Sequence, residues 1–362
     1  METKLAPLNK LCRKHNSSLR LKDVVNGEEG PYPVYGASGI VGHSSSYQFD
    51  REYVAVVKDG AGVGRVLKCE ANSSVLGTLQ PIVPIESVNR DYLFSVLETL
   101  DLAKYTSGST IPHIYFKDYG RELVPCLDHA EQNLLASRFE TVNLTLDACN
   151  TCIEKCDSLV KSRFIEMFGS GRWPSKTIGE LAIDIRYGTS KKASGRGKYI
   201  YLRMNNITDD GKLTYDDIKF IDLPEDELEK CQVVDSDLLF NRTNSREKVG
   251  KTAAFHGKIP MVIAGYIIRV RLGEEMRADY LSAFMNLSTT KAMLRSISKG
   301  TVHQANINSK ELAAIEVPTP PIELQDHFLD FVSQVDKLRF DVQRQIEQLE
   351  TLKKSLMQEY FG

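Results

Sequence analysis

The stretch LASRFETVNLTLDACNTCIEKCDSLV, Leu135 to Val160, decides the architecture. Its apolar positions Leu135, Phe139, Val142, Leu146, Cys149, Ile153, Cys156 and Val160 are spaced 4-3-4-3-4-3-4, the seam of a packed helix pair. A second run carries the same texture at Phe328, Val332, Val335, Leu338, Val342, Ile346, Leu349, Leu352 and Leu356. Neither His129 to Phe168 nor Asp326 to Phe361 contains Gly or Pro, so each reads as one helix of roughly 60 Å. The runs are in register. Val124-Pro125 recurs as Val317-Pro318, Gln132 as Gln325, Lys161-Ser162 as Lys354-Ser355 and Phe168-Gly169 as Phe361-Gly362, each at an offset of 193. The chain therefore contains one plan used twice, a variable region followed by a closing helix. A pseudo-two-fold relation between the halves predicts that the two helices pack antiparallel.

The variable regions read as mixed α and β. Tyr53–Val57 and Arg65–Lys68 predict two strands around a Gly-rich turn, and Tyr199–Arg203 and Tyr266–Arg271 also alternate. Residues 91–104 and 279–295 read as helices, each preceding a Gly-Ser/Thr loop, Ser107-Gly108-Ser109-Thr110 or Ser298-Lys299-Gly300-Thr301. The fold class is α+β: two globular mixed regions in tandem with two long helices. The segments are 1–125, a first long helix within 126–170, 171–320, and a second long helix within 321–362.

Several chemical motifs fail on inspection. Asp59-Gly60-Ala61-Gly62-Val63-Gly64 precedes a strand, whereas a dinucleotide fingerprint needs a helix N-terminus there. Gly250-Lys251-Thr252 lacks the upstream glycine of a phosphate loop, since position 245 is Ser245. Cys149, Cys152 and Cys156 lie on one helix stripe, and their counterparts in the repeat are Val342, Gln345 and Leu349, so they read as packing and no metal is expected. The only Pro-Pro, Pro320-Pro321, stands between Thr319 and Ile322, not in the Asn/Asp-Pro-Pro-aromatic setting of an amino-methyltransferase. The chain is expected to perform no chemistry itself.

The 362 residues suit two domains. Seven cysteines are too few and irregular for a disulfide scaffold, no apolar run reaches membrane-spanning length, and Met1 to Lys14 has no apolar core. A cytoplasmic protein with no membrane attachment is expected. The formal charge is only −2, which by itself argues against nucleic acid. The distribution reverses that. Lys4 to Lys22 holds six bases and no acid, Arg186 to Arg203 again six and none, and Leu238 to Leu272 seven bases against Glu247 alone. The acids gather in Asp209 to Asp237 and in the long helices. Gly188-Thr189-Ser190-Lys191-Lys192 suits phosphate contact, and Asn241-Arg242-Thr243-Asn244-Ser245-Arg246 suits readout of base edges.

The chain resembles the specificity subunits of type I restriction–modification systems over essentially all its length. In the first half the resemblance rests on Tyr32-Pro33-Val34-Tyr35-Gly36-Ala37-Ser38-Gly39-Ile40, the Gly60–Gly64 turn, Gly108-Ser109-Thr110-Ile111-Pro112-His113-Ile114, and Val124-Pro125 with Glu131-Gln132. In the second it rests on Tyr199-Ile200-Tyr201-Leu202-Arg203, Leu238-Leu239-Phe240-Asn241-Arg242-Thr243-Asn244-Ser245, Val249-Gly250-Lys251-Thr252, Gly300-Thr301-Val302-His303-Gln304 and Val317-Pro318-Thr319-Pro320-Pro321-Ile322-Glu323-Leu324-Gln325. One departure is Pro125-Cys126-Leu127-Asp128, where that family usually has a Pro-rich start to the helix.

The resemblance implies two target-recognition domains, each reading one half of a split double-stranded DNA site, and helices that set the gap and dock two modification subunits. Restriction subunits add translocation and cleavage. It implies no cofactor in this chain, with S-adenosylmethionine, ATP and Mg on the partners, and tight DNA binding only when the modification subunits close around the duplex. The residues expected at DNA are Tyr35, Lys58, Arg65, Ser109, Thr110 and His113 in the first half. In the second they are Arg186, Thr189, Lys191, Lys192, Arg203, Arg242, Asn244, Arg246, Lys248, Thr301, His303 and Gln304. Helix packing is expected from Leu135, Phe139, Val142, Leu146, Cys149, Ile153 and Cys156 against Val335, Val342, Ile346, Leu349 and Leu356. Two other readings stay open on sequence: a coiled-coil scaffold that binds proteins without DNA, and a DNA enzyme whose active site has no familiar motif.

Overall fold

A computed structural model describes residues 4–108, 111–301 and 304–361. It resolves into two units, Met1–Asn150 with Arg344–Gly362, and Thr151–Gln343. Each unit holds one mixed α/β region and half of each of two long helices, His129–Phe168 and Ile322–Phe361.

The first unit is built on an antiparallel sheet in the order Cys12–Lys14, Leu79–Pro84, Tyr53–Val57, Val66–Cys69. Tyr53–Val57 is apolar throughout because it is covered on both faces. Val54 and Val56 face the helix Arg90–Thr99 through Tyr92, Leu93, Val96 and Leu97, while Tyr53, Ala55 and Val57 face a second layer with Tyr35, Phe49 and Val75. In the second unit the sheet runs Ala182–Tyr187, Ile267–Leu272, Leu238–Asn241, Thr252–Ala254. Its strand Leu238–Asn241 is again buried on both sides: Leu238 and Phe240 join the cluster around Phe164, Phe168, Tyr280 and Phe328, and Leu239 joins Tyr201, Val262 and Phe255. The segment read as one helix over 279–295 is two, Ala278–Met285 and Ser288–Ile297.

The doubled plan is physical as well as textual. Each variable region is closed by a two-stranded ladder onto the Val-Pro pair, Leu5–Pro7 with Leu123–Pro125 and Ser175–Thr177 with Glu316–Pro318. Gln132 and Gln325, both buried, explain their recurrence. Gln132 donates through Nε2 to the carbonyls of Ser87 and Leu127 and accepts from the Asn89 N–H at 2.7 Å. Gln325 donates to Glu275 and Pro320 and accepts from the Arg277 N–H at 2.9 Å. Asn89 and Arg277 are the residues that start the helices Arg90–Thr99 and Ala278–Met285. One glutamine per unit therefore saturates backbone groups that would otherwise be stranded where a long helix meets a short one.

The long helices pack antiparallel. In the first unit Arg138 bonds Tyr360, Asn143 bonds Lys353 and Cys149 lies against Gln345. In the second Asp157 pairs with Arg339 and Phe164 stacks edge-on to Phe328. Leu135, Phe139, Val142, Cys149, Cys156, Val335, Val342, Ile346 and Leu356 are buried; Leu146, Ile153 and Leu349 are half-buried. One part of the seam is corrected. Leu338 and Leu352 are about half exposed, at 48% and 47%, and the seam passes instead through Arg339 and Lys353. Strict 4-3 spacing carries the stripe to these two positions. Their aliphatic stems cover the partner helix while the charged heads reach Asp157, and Asn143 with Glu98. The first helix starts without a Pro-rich segment because Asp128 and Glu131 cap it reciprocally: Asp128 N–H to Glu131 Oε2 at 3.1 Å, and Glu131 N–H to Asp128 Oδ1 at 2.9 Å. Among the described residues no helix is long and apolar enough to cross a membrane.

Candidate nucleic-acid interface

Each unit ends its doubly buried strand in a loop, and each docks that loop on its Gly-Ser/Thr segment by the same backbone bonds. In the first unit Lys58 N–H donates to the Thr78 carbonyl at 3.0 Å, the Lys58 carbonyl accepts from Ile114 N–H at 3.0 Å, and Gly64 N–H closes the turn on Val57 at 2.9 Å. In the second, Arg242 N–H donates to Tyr266 at 2.9 Å, the Arg242 carbonyl accepts from Ile307 at 2.9 Å, and Gly250 closes the turn on Asn241 at 2.9 Å. Ser107 pairs with His113 as Lys299 pairs with Asn306. Gly108 and Gly300, at φ +94° and +124°, stand at equivalent bends where a Cβ would meet a backbone oxygen at 2.6 and 2.2 Å. The scaffold is thus conserved between units while its side chains differ: Lys58, Asp59 and His113 in one stand where Arg242, Thr243 and Asn306 stand in the other.

In the first unit His113 engages Asp59 through Nδ1, and its ring meets Tyr115 edge-on at 4.1 Å. Arg65 is exposed, with Nη1 donating to the Ala37 carbonyl at 3.0 Å. Lys58 is half-buried. Tyr35 is corrected: it is buried under the sheet and its hydroxyl accepts from Glu70 N–H at 3.3 Å, so its role is core packing. Ser109, Thr110 and His303 lie outside the described residues.

In the second unit Arg242, Asn244, Thr301 and Gln304 come together around the small sheet Thr243–Asn244, Ala305–Asn306, Lys299–Gly300. Thr301 and Gln304 are exposed and bond each other's backbone, Thr301 N–H to the Gln304 carbonyl at 3.0 Å. Arg246 and Lys248 stand exposed on the same loop; Lys248 Nζ is 3.8 Å from Asp209, and among the described residues Arg246 makes no ion pair. Arg186 is exposed and bonds Asp184 at 2.9 Å, and Lys192 is exposed with no ion pair among the described residues. Thr189 is corrected, being buried with its hydroxyl on Glu227 at 2.7 Å. Lys191 is exposed but paired with the same Glu227, and Arg203 is held by Asp217 at 2.7 Å.

Two features escaped the sequence. First, several bases in the charge blocks are committed to ion pairs within the unit. Arg269 is buried against Asp184 and the Gln232 carbonyl, Arg271 grips Asp237 at 2.9 Å, and Lys251 bonds Asp209 at 2.6 Å. Asp209 and Asp237 of the acidic block, with Asp184, thus neutralise part of the basic blocks, a pairing invisible in linear order. Burial, together with Lys251 nearby, also lowers Lys291 to about 8; its Nζ donates to the Gly250 carbonyl at 2.6 Å. Second, Tyr187, Asn306 and Lys299 join the site. The Arg242 guanidinium lies 4.7 Å from the Tyr187 ring centroid and donates through Nη2 to Asn306 Oδ1 at 3.2 Å. Adjacency to Arg186 was the only linear hint for Tyr187, and Asn306 had none. Among the described residues no group of three or more His, Cys, Asp or Glu side chains is arranged to hold a metal.

Residues 171–351 match the family of the type I restriction modification DNA specificity domain. The chain is 26% identical over 193 residues to the putative type I restriction enzyme MjaX specificity subunit of Methanocaldococcus jannaschii, covering 52% of this chain and 45% of that one. It is 22% identical over 268 residues to the type I restriction enzyme EcoKI specificity subunit of Escherichia coli strain K12, covering 68% and 57%. It thus spans about half the length of the curated relatives it matches. The crystal structure of the type I restriction–modification S subunit from M. genitalium shares the fold at a TM-score of 0.63 with 15% identity, over 100% of this chain and 97% of that one. With a doubled α+β plan, two antiparallel helices and the family match over residues 171–351, half of the chain, it belongs to the type I restriction modification DNA specificity domain family.

Proposed function

We propose that the chain gives a type I restriction–modification complex its DNA specificity by reading a bipartite, asymmetric target, one part with each unit. The observation that carries this is the repeated loop scaffold: identical backbone bonding around Lys58 and Arg242, with different side chains displayed on it. A scaffold used twice suits two half-sites, and Lys58, Asp59 and His113 in place of Arg242, Thr243 and Asn306 suits two different sequences. Exposed Arg65, Arg186, Lys192, Arg246 and Lys248 then contact phosphates, while Arg242, Asn244, Gln304 and His113 face base edges. The chain itself is non-catalytic. Two modification subunits methylate adenine with S-adenosylmethionine, restriction subunits act with ATP and Mg, and the long helices dock them; the setting is the cytoplasm.

The test is a map of methylated adenine in host genomes with the chain, without it, and with residues 58–65 replaced by residues 242–251. A split motif that vanishes with the chain, and whose first part alone changes on loop exchange, supports the proposal. An unchanged methylation map without the chain refutes it.

A further inference from the structure

Resting on that reading, we infer that Arg242, Tyr187 and Asn306 form a preset reader of one guanine in the half-site of the second unit. Arg242 is fixed on three sides. Its guanidinium lies over Tyr187, its Nη2 donates to Asn306 Oδ1 at 3.2 Å, and its backbone is tied at both ends by Tyr266 and Ile307. The shelf is rigid too, because the Tyr187 hydroxyl donates to Ser309 Oγ at 2.9 Å and accepts from Ser309 N–H at 2.8 Å. Asn306 belongs to the small sheet, paired with Thr243 and Lys299.

The orientation of Asn306 follows from chemistry. Arginine has no acceptor, so the amide oxygen faces Arg242 and the Nδ2 donors face away. What remains for a ligand is donors alone: the terminal Nη N–H groups not bonded to Asn306, since Nε is buried, and the Asn306 amide. Among base edges in the major groove only guanine presents two adjacent acceptors, O6 and N7, without a donor or methyl group beside them; adenine and cytosine expose an amino group and thymine a methyl. A phosphate would also accept these bonds. A planar shelf and an amide brace, however, fix the rotation of the guanidinium, which serves a planar edge and gives nothing to a tetrahedral anion already reached by the freer Arg246 and Lys248. The equivalent place in the first unit has Lys58 beside the His113–Asp59 pair, so the guanine reader belongs to one half-site only.

The test uses the full chain assembled with its modification subunits and duplexes carrying its methylated target. Each guanine of the second unit's half-site is replaced in turn by 7-deazaguanine, which deletes N7 alone. Wild type should lose about 5- to 10-fold in affinity at one guanine, one bond of the pair, and Arg242→Met, which has no donor to offer N7, should lose nothing further at that position. Asn306→Asp, which turns the free donors into acceptors, should abolish the preference for guanine there and leave the other half-site unchanged. The inference is overturned if no substitution matters, if the half-site contains no guanine, or if Arg242→Met keeps the full loss. It is also overturned if Arg242→Met weakens all duplexes alike with a flatter salt dependence. If the wild-type assembly shows no sequence preference at all, the specificity reading fails with it.

Discussion

Gln325→Leu should destabilise the second unit far more than an exposed substitution on the same helix. Gln325 is fully buried and makes three bonds to backbone: Nε2 to the carbonyls of Glu275 at 3.0 Å and Pro320 at 2.9 Å, and Oε1 from the Arg277 N–H at 2.9 Å. Leucine fills a similar volume and makes none. Three backbone groups are left without partners in the core beneath Ala278–Met285, and each such group costs about 1–3 kcal/mol. Some relaxation toward water is to be expected, so the net should be about 3–4 kcal/mol. The protein carries its own reporter, since its single tryptophan, Trp173, packs against Phe168 in the second unit. Urea unfolding followed by Trp173 fluorescence should move to markedly lower denaturant in Gln325→Leu. Gln334→Leu, exposed on the same helix within the second unit, should stay within about 0.5 kcal/mol. A loss below about 1 kcal/mol in Gln325→Leu would refute the account of why this glutamine recurs in both halves.

Hydrogen bonding to Asp279 first, opposed by burial and helped by Asp235, raises His256 from 6.5 to about 9. Because the folded value is raised, its stabilisation is complete below pH 6.5 and disappears as pH rises through about 9. The pH-dependent difference in stability between wild type and His256→Gln should follow that window; a constant difference from pH 6 to 10 would remove the assignment. Lys291, lowered to about 8, acts in the opposite sense above that pH, and Lys291→Met should therefore gain relative stability at neutral pH, measurable by the same unfolding assay. Gly300→Ala places a Cβ 2.2 Å from the Gln304 carbonyl at φ +124° and should weaken reading of one half-site by over tenfold in duplex competition, with the other half-site intact. Arg339→Leu should stay within about 1 kcal/mol, since leucine keeps the seam filled, whereas Arg339→Ala should lose about 1–2 kcal/mol by thermal unfolding.

The helix seam was legible because a 4-3 pattern of apolar residues has one low-energy solution, and the repeat gave its own control at Cys149, Cys152 and Cys156. It failed at Leu338 and Leu352, where hydrophobicity and spacing disagree by one residue and spacing prevails; a 40-residue helix cannot shift register at two points without losing every other contact. The candidate interface was legible as composition only. Of the residues singled out in loops rich in Arg, Asn, Gly and Thr, Arg246, Thr301 and Gln304 are exposed. Tyr35 and Thr189 sat in equally suggestive motifs and are buried, because a motif is a string and burial depends on which strands lie above it.

Linear order by itself determined the doubled plan, the two long helices and the family, since all three rest on local periodicity or recurrence along the chain. Only the tertiary structure decided which charges are available and which side chains act together. Arg269 and Asp184 lie 85 positions apart, Arg242 and Asn306 lie 64 apart, and the equivalence of Lys58 with Arg242 needs insertions that the ungapped repeat does not contain. Charge neutralisation and base-edge geometry act over a few ångströms through space, and sheet pairing alone brings these residues within that range.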